Sequence, residues 1–93
     1  MVNNTRLVTM YYTSWCHYCK LMKPVWEQIK ANLKPNGIVF AENDEEKQQT
    51  EGITGYPTIL MIDEYGKKYK YLGQPDVDEL TKWIVSPNHL QAV

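Results

Sequence analysis

Apolar positions along the chain come in short runs with different periods. Leu7-Val8-Thr9-Met10-Tyr11-Tyr12 is rich in β-branched, apolar and aromatic residues and predicts a buried strand. Farther on, Leu21, Met22, Val25, Trp26, Ile29 and Leu33 recur at steps of three and four, which puts them on one face of a helix ending near Pro35-Asn36-Gly37. Pro24 removes one backbone donor inside that pattern, so a kink is expected there, not a break, because the apolar face resumes beyond it. Ile38-Val39-Phe40-Ala41 predicts a second strand. The polar stretch Asn43 to Gln49, with Asn or Asp as cap and Gly52 at its end, predicts a second helix. Tyr56 to Ile62 predicts a third strand with Pro57 at its mouth, Asp63-Glu64-Tyr65-Gly66 a turn, and Lys67 to Leu72 an antiparallel return. Asp76-x-x-Glu79 is a capping box for a last helix whose apolar face is Val77, Leu80, Trp83 and Ile84, stopped at Ser86-Pro87. The expected order is βαβαββα, an α/β fold whose strand–helix–strand opening implies a parallel pair with a right-handed crossover.

Length and composition narrow this further. Ninety-three residues with 43% hydrophobic content suffice for one core, so residues 1–93 are expected to form a single domain, with a core over about 6–86 and a weakly patterned tail over 87–93. Ten basic residues against eleven acidic ones leave no basic block of the kind that tracks nucleic acid or an anionic membrane. The N-terminus, MVNNTRLVTMYY, has no charged-then-apolar leader pattern, and no stretch is long enough to span a bilayer. A soluble, cytoplasmic monomer is the expectation.

Both cysteines fall in Trp15-Cys16-His17-Tyr18-Cys19-Lys20. A structural staple of that span closes too short a loop to constrain the unfolded chain much. Zinc needs two further ligands, and only His17, between the thiols, and His89, in the tail, are available, so no metal site is expected. Redox chemistry fits better. A thiol in the first turn of a helix sees unpaired backbone N–H groups and the positive end of the helix dipole, which favour thiolate. His17, as imidazolium or as a hydrogen-bond donor, would favour it further, and with Lys20 it is the candidate for tuning the site.

The segment WCxxCK at a strand-to-helix junction, Pro24, Gly55-Tyr56-Pro57-Thr58 before a strand and Gly73 after the hairpin together resemble the thioredoxin family, from about Leu7 to Val85. The resemblance implies a thioredoxin-like fold with a central four-stranded mixed sheet flanked by helices, in a minimal form with few residues before the first strand. It implies a thiol–disulfide oxidoreductase acting on protein disulfides, with the redox-active Cys16–Cys19 pair as its only redox group and no separate cofactor. Cys16 would be the nucleophile and Cys19 the resolving cysteine, with a reductase or glutathione as electron source. Trp15, Tyr18, Tyr56 and Pro57 would bind substrate, Pro57 through a cis bond that turns the Tyr56 backbone toward the sulfurs.

Two features depart from the pattern. Met10 stands where thioredoxins carry a buried aspartate beneath the second cysteine, with Glu42 a candidate substitute if its strand turns it inward; a solvated Glu42 is the simpler expectation. The His-Tyr dipeptide between the cysteines differs from the usual ones, and its tyrosine is similar to that of glutaredoxins. A glutathione-dependent enzyme is therefore the first rival, with Gly73-Gln74-Pro75-Asp76 matching only part of the glutaredoxin turn. A binding module using Trp15, Tyr18 and Tyr56 as an apolar rim is the second. Tyr65, Tyr69 and Tyr71 read as half-buried sheet residues.

Overall fold

The computed structural model describes residues 5–87 and 92. Strand β1 (Leu7–Tyr12) leads into helix α1 (His17–Leu33), and a short 3-10 turn (Lys34–Asn36) then ends at Gly37, whose φ of 80° suits a residue without a Cβ. Strands β2 (Val39–Asp44), β3 (Thr58–Ile62) and β4 (Lys68–Lys70) follow, and helix α2 (Val77–Val85) closes the order. The sheet runs β2-β1-β3-β4, with β1 and β2 parallel and the other two pairs antiparallel. The central β1 is thus flanked on both sides, which follows from its apolar content. The four-stranded mixed sheet with flanking helices is as the sequence predicts.

One face of the sheet carries the core. Val8 pairs with Met61 and Met10 with Ile59 across β1 and β3, and all four are buried. Against them α1 lays Cys19, Met22, Trp26, Ile29 and Leu33, a run of alternating three- and four-residue steps, and α2 lays Leu80, Trp83 and Ile84. Trp26 is fully buried, edge-on to Phe40 at 5.4 Å between ring centroids. Helix α1 passes unbroken through Pro24. Arg6 ties the far end together: its guanidinium forms a paired contact with Glu64 at 2.9 and 3.0 Å and donates to the Ile84 carbonyl at 2.5 Å.

Three expectations are corrected. The polar stretch 43–49 is not a helix: β2 continues to Asp44, and a turn follows. The cause is side chains competing for backbone groups. After a single turn, in which the Asp44 carbonyl accepts from the Lys47 and Gln48 N–H groups, Asn43 donates to the Gln48 carbonyl at 2.9 Å and Glu45 accepts from the Thr50 N–H at 3.1 Å, taking the groups a continuing helix would use. The element order therefore lacks the second predicted helix. Leu21 is exposed rather than core-facing, since Cys19 and Met22 take that side of the helix. Tyr65 sits exposed at the β3–β4 turn, whereas Tyr69 and Tyr71 are buried.

Candidate active site

The chain places the two thiols through β1 and the first turn of α1. Thr13 to Trp15 form a tight link after β1, and the Cys16 N–H donates to the Thr13 carbonyl at 3.5 Å. Cys16 is the N-cap residue of α1, extended at φ −77°, ψ 117°, and its sulfur does what a cap oxygen would do, accepting from the Cys19 N–H at 3.2 Å. Both cysteines are free thiols and both are buried. The helix end therefore presents one backbone N–H directly to the Cys16 sulfur, a contact that strengthens when the sulfur carries charge.

The other wall comes from forty residues later in the chain. The Tyr56–Pro57 peptide bond is cis. The Tyr56 carbonyl accepts from Cys16 Sγ at 3.3 Å, and the Tyr56 ring meets Trp15 edge to face at 6.0 Å. The antiparallel pairing of β1 with β3 makes this possible, since Tyr11 lies opposite Thr58 and so sets the ends of both strands side by side. A cleft of about 190 Å³ runs from Tyr18 and Met22 past Tyr56 and Pro57 to Tyr71 and Gly73. Tyr18, in its lining, and Trp15, against the Tyr56 ring, are each 67% exposed.

His17 and Lys20 are both exposed on the first turn of α1. The His17 ring lies edge-on to Tyr18 at 5.7 Å, so it flanks the rim, and the Lys20 N–H donates to the Cys16 carbonyl at 3.3 Å. Among the described residues no group of three His, Cys, Asp or Glu side chains is placed to hold a metal ion, and His89 lies outside them.

Beneath the site the two cysteines part company. Burial pushes the Cys19 thiol up from 9.0 to about 12; its contact with the Cys16 thiol adds to this, while the Thr13 backbone opposes it. Met10 is buried next to it, so β1 supplies no acid there. Glu42 is the register partner of Met10 on β2, which puts it on the α1 face of the sheet, but it is exposed, as the simpler expectation has it, and pairs with Lys30 at 3.1 Å. Between them lies a cavity of about 260 Å³ bordered by Cys19, Met10, Trp26, Lys23, Glu27 and Glu42. The thiol side of that cavity is apolar and its mouth is charged.

The Gly73–Asp76 turn spends its polar groups internally. The Gln74 carbonyl accepts from the Tyr71 hydroxyl at 2.5 Å and from the Asp76 N–H at 2.8 Å, and the Asp76 carboxylate caps α2 through the Glu79 N–H at 2.9 Å. The buried carboxylate of Glu45, held by Thr50 and Asn43, has no signal in the sequence, because a run of Asp, Glu, Lys and Gln is indistinguishable from a solvated surface.

A thioredoxin family model matches residues 1–86 of the chain. A protein disulfide-isomerase from Hordeum vulgare is 31% identical over 78 residues, covering 80% of this chain and 15% of that protein. A thioredoxin domain-containing protein from Theileria parva is 33% identical over 80 residues, covering 81% of this chain and 36% of that one. The chain thus spans well under half the length of either relative. Among solved structures, the first thioredoxin domain of mouse protein disulfide-isomerase A4 superposes with a TM-score of 0.73 at 27% identity, covering 86% of this chain and 61% of that one.

Proposed function

The chain belongs to the thioredoxin family, its relatives include a protein that is a disulfide-isomerase by name, and from that premise we propose that it exchanges disulfides with protein substrates through Cys16. The observation that carries this is the Cys16 sulfur itself, held between the Cys19 N–H at 3.2 Å and the carbonyl at 3.3 Å of Tyr56, a residue that also lines the cleft.

The Cys16 thiolate attacks one sulfur of a substrate disulfide; a bond forms between Cys16 and that sulfur, the substrate S–S bond breaks, and the other substrate sulfur leaves as thiolate and takes up a proton. Cys19 then loses its proton and attacks Cys16 Sγ. The Cys16–Cys19 disulfide forms, the mixed disulfide breaks, and the substrate departs with two more electrons than it brought. An external dithiol, a reductase or glutathione returns the pair to thiols. Trp15, Tyr18 and the Tyr56–Pro57 segment line the path along which an extended substrate segment approaches, with the Tyr56 backbone as its pairing edge. His17 and Lys20, exposed on the first turn of α1, are the residues that tune the couple toward the oxidising side in this reading.

The internally bonded Gly73–Asp76 turn supports protein over glutathione as substrate, since its carbonyl and carboxylate are already engaged. The test is direct. Cys16→Ser is expected to abolish reduction of a model protein disulfide, and Cys19→Ser to accumulate a covalent adduct that, trapped from a lysate, contains proteins. Full activity in Cys16→Ser would sink the mechanism, an adduct with glutathione alone would favour the glutaredoxin reading, and no adduct would favour a binding module.

A further inference from the structure

The cleft near the thiols has one wall that the exchange steps do not use. It shares Tyr56 with Cys16, and its far side is the turn of Gly73, Gln74 and Pro75. Tyr71 ties that turn to the sheet, and its own ring is fixed first. The Tyr71 N–H donates to the Ile59 carbonyl at 3.0 Å, and the ring packs on Trp83 of α2 at 5.3 Å between centroids, both side chains being buried. From that fixed ring the hydroxyl donates to the Gln74 carbonyl at 2.5 Å. Burial pushes the pKa of the hydroxyl up, so it stays a donor at neutral pH. The Asp76 N–H reaches the same carbonyl at 2.8 Å, but from within the turn, so it maintains the shape of the turn and not its place. Gly73 permits the close approach, since a Cβ there would lie 2.5 Å from the Tyr71 hydroxyl.

We propose that Tyr71 is a positioning residue: by holding Gln74 it sets the far wall of this cleft, which takes a large uncharged apolar or aromatic side chain beside the reacting cysteine of a protein substrate. This rests on Cys16 being the sulfur that attacks that substrate. Size and lining give the class of side chain. About 190 Å³ admits one large side chain, and Met22, Ile59, Pro57 and Pro75 with the rings of Tyr18 and Tyr56 supply its surface. No described residue lining the cleft carries a charge. A Lys or Asp side chain entering it would lose water and find no opposite charge. Charged side chains gather instead around the separate cavity at Cys19, in Lys23, Glu27 and Glu42, and the Glu79 carboxylate meets Gly73 without joining the lining. Without the Tyr71 hydroxyl, the turn keeps its internal bond but loses its tie to the sheet through Gln74, so the width of the cleft between it and Pro57 is no longer fixed. The bonds at the Cys16 sulfur, from the Cys19 N–H and to the Tyr56 carbonyl, do not involve Tyr71.

The experiment uses peptide disulfides in which the residue next to the cysteine is Phe, Leu, Gly, Asp or Lys, with kcat and KM read for each. The wild type is expected to show a KM about tenfold lower for the Phe and Leu peptides than for the Asp and Lys ones. Tyr71→Phe, which keeps the ring and loses the hydroxyl, should raise KM for the Phe and Leu peptides about fivefold, with kcat changed by less than about twofold and the Gly peptide little affected. Gly73→Ala separates the same pair from the other side and should match it, and the two together should add little to either alone. Tyr65→Phe, at the exposed β3–β4 turn, controls for loss of a tyrosine hydroxyl and should behave as wild type. Circular dichroism checks folding; if Tyr71→Phe does not fold, Gly73→Ala and the wild-type peptide series carry the test. The same peptides with Ser in place of Cys are titrated into reduced protein and followed by NMR, so that binding is read without exchange. Equal KM for apolar and charged peptides, or wild-type KM in a folded Tyr71→Phe protein, would overturn the proposal. A wild type that binds the Phe and Leu peptides in preference yet reduces none of the disulfides would refute the proposed activity and uphold the assignment of the cleft.

Discussion

Resolution of the mixed disulfide by Cys19 should be steeply pH-dependent, and raising the pH is the perturbation that exposes this. Burial is the largest cause pushing the Cys19 thiol from 9.0 to about 12, and it persists after Cys16 is tied up in a mixed disulfide, although the smaller contribution from the Cys16 thiol then disappears. At pH 7 a thiol of pKa 9.0 is ionised to about one part in a hundred, and one near 12 to about one part in a hundred thousand. The difference, 12 less 9.0, removes about a thousandfold of nucleophile. A more basic thiolate is also a better nucleophile, and a Brønsted coefficient near 0.45 over that difference returns about 20-fold, leaving resolution slower by about 50-fold at pH 7. The assay starts from a preformed mixed disulfide between Cys16 and a fluorescent peptide thiol, mixed into buffers between about pH 6 and 9, with release of the peptide followed in time. The rate should climb about tenfold per pH unit throughout that range, because the thiolate fraction does. A rate that is flat with pH, or that levels off below about pH 9, would show that Cys19 gives up its proton far more readily than its burial implies.

The same burial has a consequence for stability. The folded protein holds the Cys19 proton up to about 12 while the unfolded chain releases it near 9.0, so above pH 9 the unfolded state binds fewer protons and stability falls as pH rises, by at most about 4 kcal/mol. Tyr71, also pushed up by burial, acts in the same direction; urea melts under reducing conditions at increasing alkaline pH should show the loss, and Cys19→Ala should flatten it. Gly73→Ala would drive a Cβ to 2.5 Å from the Tyr71 hydroxyl and against the Glu79 carboxylate, breaking the Tyr71–Gln74 bond, with an expected cost of about 1–3 kcal/mol in a denaturant titration. An unchanged midpoint would mean that the turn relaxes freely. Trp26→Ala empties the centre of the core and should cost about 3–5 kcal/mol in the same titration, whereas a loss below about 1 kcal/mol would mean that α1 collapses onto the sheet.

Much of the fold is legible along the chain because period and position agree. The run Leu7–Tyr12 and the observed β1 have the same limits, and the stripe through Met22, Trp26, Ile29 and Leu33 is the buried face of α1. Pattern reading fails where short polar side chains have more than one way to satisfy the backbone. Asn43, Asp44 and Glu45 could each begin a helix, but they bond to the loop around them. Leu21 and Tyr65 show the same limit from the apolar side, since hydrophobicity does not tell which residues of a stripe find a partner.

The chemistry of the candidate site divides in the same way. Residue type and spacing alone determined that two thiols share the first turn of a helix, that too few further ligands exist for zinc within the chain, and that Tyr56-Pro57 precedes a strand, because these depend on local covalent geometry. Only the tertiary structure decided which groups surround those thiols. The β1–β3 pairing brings the Tyr56 carbonyl to Cys16, the β1–β2 register sets Glu42 beside Met10, and the turn after β2 buries Glu45 against Thr50 and Asn43. The physical reason is that burial and electrostatic environment are properties of contacts between distant segments, so the same carboxylate or thiol is an ordinary surface group or a tuned one according to what the fold packs around it.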